Sequence, residues 1–139
     1  MSLERTFSIV KPDAVAANQT GAILAMIQDA GFKILALRLT RLSDAQARGF
    51  YAVHKERPFF EGLVKFMTEG PIVVMALERE DAVKGLRDVM GATNPANAAE
   101  GTIRKRFAEN IERNCIHGSD APETAAVELA FFFNTSELL

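Results

Sequence analysis

The first element of the chain is marked by alternating apolar and polar positions. In residues 5–10, Phe7 and Ile9 alternate with mostly polar neighbours, and Pro12 follows shortly after. This pattern predicts a strand that ends before the proline. Residues 72–77 are an unbroken apolar run, which is typical of a central strand covered on both faces. Two further strands are predicted at residues 33–42 and 131–133.

Apolar residues at helical spacing mark the segments between these strands. Ile23, Leu24 and Ile27 recur at that spacing, with Gly31 as a stop signal. Ser43 is suited to cap a helix N-terminus. The predicted helices are residues 20–30, 44–53, 60–68, 81–90 and 123–130. Residues 91–101 are rich in Gly, Asn, Pro and Thr and predict a loop with about one turn, and loops of this length in compact domains are often functional.

The order of these elements favours one small sheet with helices packed over it. The chain has 139 residues, which is enough for one domain with a sizeable core, and no repeat or low-complexity linker divides it. Helices alternate with strands that need not all be parallel. We therefore expect a single domain over residues 1–139 with an α/β sandwich architecture.

Composition then narrows the functional classes. Apolar residues make up 48% and charged residues 24%, as in ordinary globular proteins, and no apolar run reaches the roughly 18 residues of a membrane span. The N-terminal residues lack the apolar core of a signal peptide. The single cysteine, Cys115, cannot form an intrachain disulfide, which favours a cytoplasmic location. A net charge of −2 argues against nucleic acid as the primary partner.

His117 is the candidate nucleophile. The chain has no P-loop, dinucleotide-binding glycine motif or His-Glu-x-x-His motif, so a nucleotide would have to be bound by another kind of phosphate-binding site. A neutral imidazole is a good nucleophile near pH 7 and can carry a phosphoryl group. We expect Gly118 to allow a sharp turn that exposes the ring, and Ser119 to hold that turn. Glu128, on the following helix, could fix the tautomer of the ring. Taken alone, this motif is more typical of an ordinary turn histidine.

Residues suited to phosphate and nucleotide binding are spread along the chain. A transferring phosphoryl group spreads negative charge over its oxygens, which fixed cations and hydroxyls stabilise. Lys11 follows the first strand, and Arg87, Thr93 and Arg104 flank the long loop. Taken singly, each basic residue is more typical of a solvated surface charge.

A second set of residues is suited to the nucleoside. Tyr51 and His54 have the spacing of one helix face. Phe59, at a corner after Pro58, could stack on any base, because every base has a π face. The neighbouring Phe60 is more typical of a core residue.

The ordered motifs resemble those of the nucleoside diphosphate kinases over essentially the whole chain. These motifs are Ser8-Ile9-Val10-Lys11-Pro12-Asp13-Ala14, Phe50-Tyr51-Ala52-Val53-His54, Arg57-Pro58-Phe59-Phe60, Gly70-Pro71, Gly91-Ala92-Thr93-Asn94-Pro95, Gly101-Thr102-Ile103-Arg104 and Asn114-Cys115-Ile116-His117-Gly118-Ser119-Asp120. The resemblance implies an α+β fold, a ferredoxin-like α/β sandwich whose four-stranded antiparallel sheet is covered by helices. It also implies ping-pong transfer of the terminal phosphate of a nucleoside triphosphate, usually ATP, to a nucleoside diphosphate.

The resemblance further implies a role for each candidate residue. It makes His117 the phosphorylated nucleophile, supported by Glu128 and Ser119. The residues implied to contact phosphates or the nearby sugar are Lys11, His54, Arg87, Thr93 and Arg104. Asn114 and Lys11 reach the ribose, Phe59 stacks on the base, and Tyr51 belongs to the pocket wall. Magnesium is implied to be held mainly by the nucleotide phosphates, without a protein ligand, and the chain to form a homo-oligomer, either a tetramer or a hexamer.

Two departures from the family pattern leave alternatives open. Arg106 replaces an acidic residue that is common after the Gly-Thr-Ile-Arg motif, and Arg79 stands where many bacterial relatives carry glycine. These changes allow a second hypothesis, a nucleotide-binding module with little turnover. A third hypothesis, a nucleic-acid-binding protein, is disfavoured by the acidic pI of about 5.7.

Overall fold

A computed structural model of the chain describes residues 3–139, which form one antiparallel sheet with helices on both faces. The strands are β1 (Leu3–Val10), β2 (Lys33–Thr40), β3 (Ile72–Glu80) and β4 (Ile116–Gly118). The helices are α1 (Pro12–Ala16), α2 (Thr20–Asp29), α3 (Asp44–Phe50), α4 (Phe60–Met67), α5 (Ala82–Met90), α6 (Ile103–Phe107) and α7 (Pro122–Phe132). Short 3-10 helices occur at Ala52–His54, Pro95–Asn97 and Thr135–Glu137.

The sheet has the strand order β2-β3-β1-β4, and its neighbouring strands are antiparallel. This is the ferredoxin-like arrangement, so the expected fold class is confirmed. β3 and β1 occupy the centre, which explains the unbroken apolar run of β3. Side chains alternate between the two faces of a strand, and here each face has its own core. Ile72, Val74 and Ala76 enter the first core, and Val73, Met75 and Leu77 enter the second.

Each core is closed by a different group of helices. The first core packs α3, α4 and α7 against the sheet through residues such as Ala47, Val64 and Leu129. The second core packs α1, α2, α5 and α6 through residues such as Ile27 and Leu86. The two layers place the ends of β1 and β4 between α5 on one side and α7 on the other.

The predicted strand at residues 131–133 is wrong. Phe131 and Phe132 are the last residues of α7, and Phe133 follows in an extended conformation after the helix. Phe132 stacks on Phe7 with ring centroids 5.2 Å apart, so Phe132 and Phe133 pack into the first core rather than forming a strand. The fourth strand is β4, which carries His117 and pairs with β1.

Most other predicted elements are confirmed, with differences at their ends. Ser43 caps α3 in a capping box, in which its hydroxyl accepts from the Gln46 backbone and the Gln46 side chain accepts from the Ser43 backbone. The predicted helix over residues 44–53 divides into α3 and a 3-10 helix. The five-residue helices α1 and α6 were not predicted. Within residues 3–139, none of the helices has the length and apolar run needed to cross a bilayer.

Arg79 has a structural role far from His117. Its guanidinium lies 4.6 Å from the centroid of the Phe32 ring and donates a 2.8 Å hydrogen bond to the Ala30 carbonyl, at the C-terminal end of α2. In the register of β1, Arg79 pairs with Glu4, whereas His117 pairs with Ile9. Five residues along a strand span roughly 17 Å, so Arg79 lies at the other end of the sheet.

We expect Arg79→Gly to destabilise the fold by about 1–2 kcal/mol, because it removes the cation–π contact, the carbonyl hydrogen bond and a strand side chain. Chemical denaturation measures this change. The specific activity of the folded fraction should stay within about twofold of the original chain, since the site is remote. An increase of tenfold or more would instead support the hypothesis that Arg79 suppresses turnover.

Candidate active site

His117 is held at the edge of the sheet by β1. The backbone of β4 pairs with β1, and the buried Ser8 hydroxyl donates a 2.7 Å hydrogen bond to the His117 carbonyl. The Ser119 amide donates a 3.1 Å hydrogen bond to the Phe7 carbonyl, which extends the restraint beyond β4. The backbone that presents the imidazole is therefore fixed on both sides of His117.

The sharp turn of the motif precedes His117 rather than following it. Cys115 has a φ of 65°, a left-handed conformation that is costly for a residue with a side chain. Gly118 lies in β4, and a Cβ there would meet Met90 Sδ at 2.6 Å and Leu86 Cδ2 at 3.0 Å. The expected role of Gly118 in turning the chain is thus wrong. This glycine instead allows α5 to pack closely on β4.

Glu128 orients the imidazole of His117. The Nε2 atom of His117 lies 2.9 Å from Glu128 Oε1, and the Ser119 hydroxyl donates a 2.6 Å hydrogen bond to the same oxygen. An ionised carboxylate can only accept, so the proton of the ring belongs on Nε2. The other nitrogen, Nδ1, then carries a free lone pair. This arrangement is suited to nucleophilic attack from Nδ1.

Three aromatic rings, from β1 and from the C-terminal end of α3, surround the imidazole. Its centroid lies 5.7 Å from that of Phe50, 6.1 Å from that of Phe7 and 6.5 Å from that of Tyr51. The His117 side chain keeps 20% of its surface exposed, so a substrate can still reach it. Burial raises the pKa of the Tyr51 hydroxyl, with a smaller contribution from Glu128, so Tyr51 is a neutral wall residue.

Lys11 and Asn114 form a buried pair beside this turn. Lys11 Nζ donates a 2.8 Å hydrogen bond to Asn114 Oδ1, and both residues are largely buried. The Asn114 amide in turn donates to the Ile111 carbonyl at 3.1 Å. Burial, followed by the nearby Arg104 cation, lowers the pKa of Lys11 to about 8. The ammonium is therefore protonated at neutral pH, but less firmly than a surface lysine.

Arg104 links the long loop to the backbone around His117. Its guanidinium donates to the carbonyls of Gly91 at 3.1 Å, Asn114 at 3.3 Å and Ile116 at 2.8 Å. Burial lowers the pKa of Arg104 to about 10, and the Arg87 cation acts in the same direction. The side chain therefore remains charged at neutral pH while its geometry is fixed by three carbonyls.

An open depression of about 380 Å³ lies beside Arg104. Arg87, Thr93 and Thr102 contribute to its lining, together with the backbone around Gly91. Within residues 3–139, none of Lys11, Arg87 and Arg104 forms a salt bridge with an acidic side chain. Cations gathered without a salt-bridge partner favour an anionic ligand.

His54 and Phe59 form a separate pair. Their ring centroids are 5.5 Å apart, and Phe59 is 53% exposed. The His54 amide donates a 2.8 Å hydrogen bond to the Tyr51 carbonyl, which connects this pair to the wall beside His117. The exposed ring of Phe59 contrasts with the buried Phe60, as the sequence predicts.

The candidate residues thus fall into four groups, two of which share Arg104. His117, Glu128 and Ser119 share one hydrogen-bond network with Tyr51 against the ring, and Lys11, Asn114 and Arg104 are joined through the turn before His117. Arg87 and Thr93 line the depression with Arg104, while His54 and Phe59 pair at the outer side. Residues not singled out from the sequence are Ser8, Phe50 and Asp13. Their only sequence signal was membership of the quoted motifs.

The residues that line the depression include several donors for phosphate oxygens. Among residues 3–139, no group of three or more His, Cys, Asp or Glu side chains is placed to hold a metal ion. Arg87, Arg104, Thr93 and Thr102 line the depression and suit phosphate oxygens, and Asp88 adds one carboxylate.

Comparisons with known proteins agree with these features. The family model described as "Nucleoside diphosphate kinase" matches residues 4–138. The nucleoside diphosphate kinase of Maricaulis maris is 62% identical over 139 residues, covering 100% of this chain and 99% of that protein. That of Nitratidesulfovibrio vulgaris is 59% identical over 137 residues, covering 99% of each.

Solved structures are similar over the same extent. A crystal form of the Aquifex aeolicus nucleoside diphosphate kinase superposes with a TM-score of 0.95 at 44% identity, covering 99% of this chain and 100% of that one. A halophilic nucleoside diphosphate kinase from Halobacterium salinarum, in complex with CDP, has a TM-score of 0.94 at 39% identity and covers 99% of this chain and 92% of that one.

Proposed function

Because this chain belongs to the nucleoside diphosphate kinase family, we propose that it transfers the terminal phosphate of a nucleoside triphosphate to a nucleoside diphosphate through a phosphohistidine at His117. The observation that carries the residue assignment is the bond from His117 Nε2 to Glu128, which leaves Nδ1 free. Attack by Nδ1 on the terminal phosphorus forms the N–P bond, and the bond to the diphosphate oxygen breaks. The departing diphosphate keeps that electron pair. Attack by a second diphosphate on the phosphohistidine reverses these events.

Glu128 supports each half of this reaction. When Nδ1 bonds to phosphorus, positive charge develops on the ring, and the Glu128 carboxylate at Nε2 stabilises that charge. Ser119 fixes the carboxylate through its 2.6 Å hydrogen bond. The aromatic walls keep the ring from rotating away from the attacking direction.

The cations supply the electrostatic part of catalysis. Lys11, Arg87 and Arg104 are proposed to bind the phosphate oxygens, with the Thr93 hydroxyl as an additional donor. Such preorganised donors stabilise charge that develops in the transition state without further rearrangement. Since none of these three cations forms a salt bridge within residues 3–139, their charge is available to the nucleotide.

The base and the sugar of the substrate are assigned to a second set of residues. Phe59 is proposed to stack on the base, His54 to contact a phosphate or the sugar, and Asn114 with Lys11 to reach the ribose. Recognition by stacking distinguishes bases weakly. The substrates proposed are therefore ATP and other nucleoside di- and triphosphates, and the CDP complex of the Halobacterium salinarum relative supports a nucleotide ligand.

Magnesium is proposed to enter with the nucleotide. The family's reaction is generally magnesium-dependent, and a depression lined by two arginines and two threonines, with one carboxylate from Asp88, suits a metal held mainly by phosphates. When bound, magnesium neutralises part of the phosphate charge. Arg87, Thr93 and Arg104 would then orient the phosphates that carry it.

The activity is tested by incubating the purified chain with ATP, magnesium and GDP and measuring GTP. Rapid formation of GTP is expected. A chain that binds ADP but forms no GTP above background would instead be the nucleotide-binding module described above. Sequence-selective nucleic-acid binding that stays strong at physiological salt would support the third hypothesis.

We expect Glu128→Gln to lower the rate of His117 phosphorylation by about 100-fold, because the neutral amide no longer stabilises positive charge on the ring. Rapid-quench measurement with labelled ATP reports this rate. Glu123→Gln, at an exposed position in the first turn of α7, is the matched control and should leave it unchanged. An equal rate in both variants would remove Glu128 from the mechanism.

The remaining proposals concern domain organisation, oligomeric state and cellular location. We propose that residues 1–139 act as one domain and that the chain forms a homo-oligomer, either a tetramer or a hexamer. The apolar side chains of Leu37 and Leu39 are exposed on the edge strand β2, which supports self-association. Sedimentation velocity would give the number of subunits. A cytoplasmic location is proposed on the single free cysteine.

A further inference from the structure

Asp13 joins the end of β1 to the turn before His117, although it is not among the residues assigned above. Its Oδ2 atom accepts a 3.1 Å hydrogen bond from the Cys115 amide. The Lys11 amide donates a 2.9 Å hydrogen bond to the Cys115 carbonyl. Both polar backbone groups of the left-handed Cys115 are therefore held by residues 11–13. This clamp fixes the backbone that connects Asn114 to His117.

Burying the Asp13 carboxylate costs folding free energy, which a residue with only a structural role would not explain. The side chain is buried, and its Oδ1 atom has no hydrogen-bond partner among residues 3–139. Burial raises the pKa of its carboxyl group, which backbone amides and the charges of Lys11 and Arg113 partly offset. A half-satisfied buried carboxylate disfavours folding. Such a group is more readily explained by a contribution to the site.

The charge of Asp13 acts on Lys11. The groups that influence the Lys11 ammonium are the Arg104 cation, which lowers its pKa, and Asp13 and the Cys115 thiol, which raise it. Burial raises the pKa of the Cys115 thiol to about 12, so this thiol is neutral near pH 8. The carboxylate of Asp13 is therefore the acidic charge that raises the pKa of the Lys11 ammonium and partly offsets the effects of burial and Arg104.

We propose that Asp13 is a positioning residue of the phosphate-transfer site, which holds the Cys115 turn in place and keeps the Lys11 ammonium charged for phosphate binding. This inference rests on the proposed function. Asp13 does not touch the substrate: it acts through Lys11 and through the backbone before His117. Its effect should therefore appear in the pH dependence of substrate capture.

Two variants separate the hydrogen bond from the charge. Asp13→Asn retains an oxygen that can accept from the Cys115 amide but removes the charge, whereas Asp13→Ala removes both. The profile of kcat/KM against pH reports ionisations of the free enzyme. Since protonated Lys11 binds phosphate, kcat/KM falls as pH rises through the pKa of Lys11. In Asp13→Asn this pKa is lower, so the alkaline limb should move to lower pH.

A shift of about one pH unit would lower kcat/KM about tenfold near pH 9, with a change of no more than about twofold near pH 6.5. The effect should fall on KM more than on kcat, because bound phosphates keep Lys11 protonated.

The melting temperature of Asp13→Asn should equal or exceed that of the original chain. The kcat of Asp13→Ala should also fall, whereas the kcat of Asp13→Asn should stay close to that of the original chain. The matched control is Asp29→Asn, an exposed aspartate at the end of α2, which should change none of these quantities.

An alkaline limb that stays in place in Asp13→Asn would overturn the proposal. So would a lower melting temperature with an unchanged profile, which is the signature of a structural residue. If neither variant folds, the amide proton of Cys115 in the original chain provides the test by NMR. The chemical shift of this proton should follow the ionisation of Asp13, with a midpoint above the usual pKa range of an aspartate. A chemical shift that does not change with pH would overturn the proposal. The proposed function is tested separately, because GTP formation by the original chain does not depend on either variant.

Discussion

Replacing His117 with alanine should lower the rate of phosphoryl transfer from ATP to GDP by at least about 10⁴-fold. The variant lacks the imidazole that is proposed to form the N–P bond, so neither half of the reaction can proceed. The backbone of β4 should remain in place, since its hydrogen bonds to Ser8 and to the rest of β1 do not involve the imidazole. The measurement combines steady-state GTP formation with labelling of the protein by γ-labelled ATP.

The other histidine of the chain provides the matched control. His54 is placed near Phe59 and is proposed to contact the nucleotide without bonding to phosphorus. His54→Ala should therefore raise KM while the protein is still labelled. Label on the original chain should be acid-labile and base-stable, as expected for a phosphohistidine. Equal labelling of His117→Ala and the original chain would exclude His117 as the nucleophile.

Replacing Arg104 with alanine should lower turnover by about 10³-fold and destabilise the fold by about 3 kcal/mol. Both effects have the same origin. The guanidinium brings a fixed positive charge to the depression and satisfies the carbonyls of Gly91, Asn114 and Ile116. Its loss leaves buried acceptors without donors and loosens the backbone next to His117. Steady-state kinetics and denaturant unfolding measure the two quantities.

Arg104→Lys separates charge from geometry. Lysine restores a cation but cannot donate to three carbonyls at once, so stability and turnover should recover only in part. Arg106→Ala is the matched control on the same helix. Arg106 is exposed with its guanidinium 4.8 Å from the centroid of the Phe107 ring, and its removal should change turnover by less than about twofold. A tenfold gain in Arg106→Ala would instead support the hypothesis that Arg106 suppresses turnover.

The fold follows from the sequence wherever periodicity is strong. The apolar run of β3 indicated a central strand because both of its faces are buried, and Ser43 marked the start of α3 because its hydroxyl completes a capping box. The three residues of β4 gave no usable alternation, since the strand holds a histidine and a glycine between buried neighbours. Residues 131–133 have high strand propensity, but their packing against Phe7 and Phe50 favours the end of a helix.

The candidate site follows from motifs, whereas its geometry does not. The motifs name residues that are far apart in the chain, such as Lys11 and Asn114, and only the fold brings them within a hydrogen bond. The three carbonyl contacts of Arg104 and the clamp of Asp13 on Cys115 involve backbone groups, which carry no sequence signal. The role of Gly118 could not be predicted for the same reason, because the residue that requires its lack of a side chain, Met90, lies on another element.

The most direct test of the phosphohistidine mechanism is transfer from an isolated phosphoprotein. The chain is labelled with γ-labelled ATP, separated from nucleotide and mixed with GDP in the presence of magnesium. The mechanism predicts that the label moves to GTP within the turnover time measured in the steady state, in an amount equal to the protein-bound label. Label that stays on the protein, or that appears as inorganic phosphate while no labelled GTP forms, would contradict a covalent intermediate at His117.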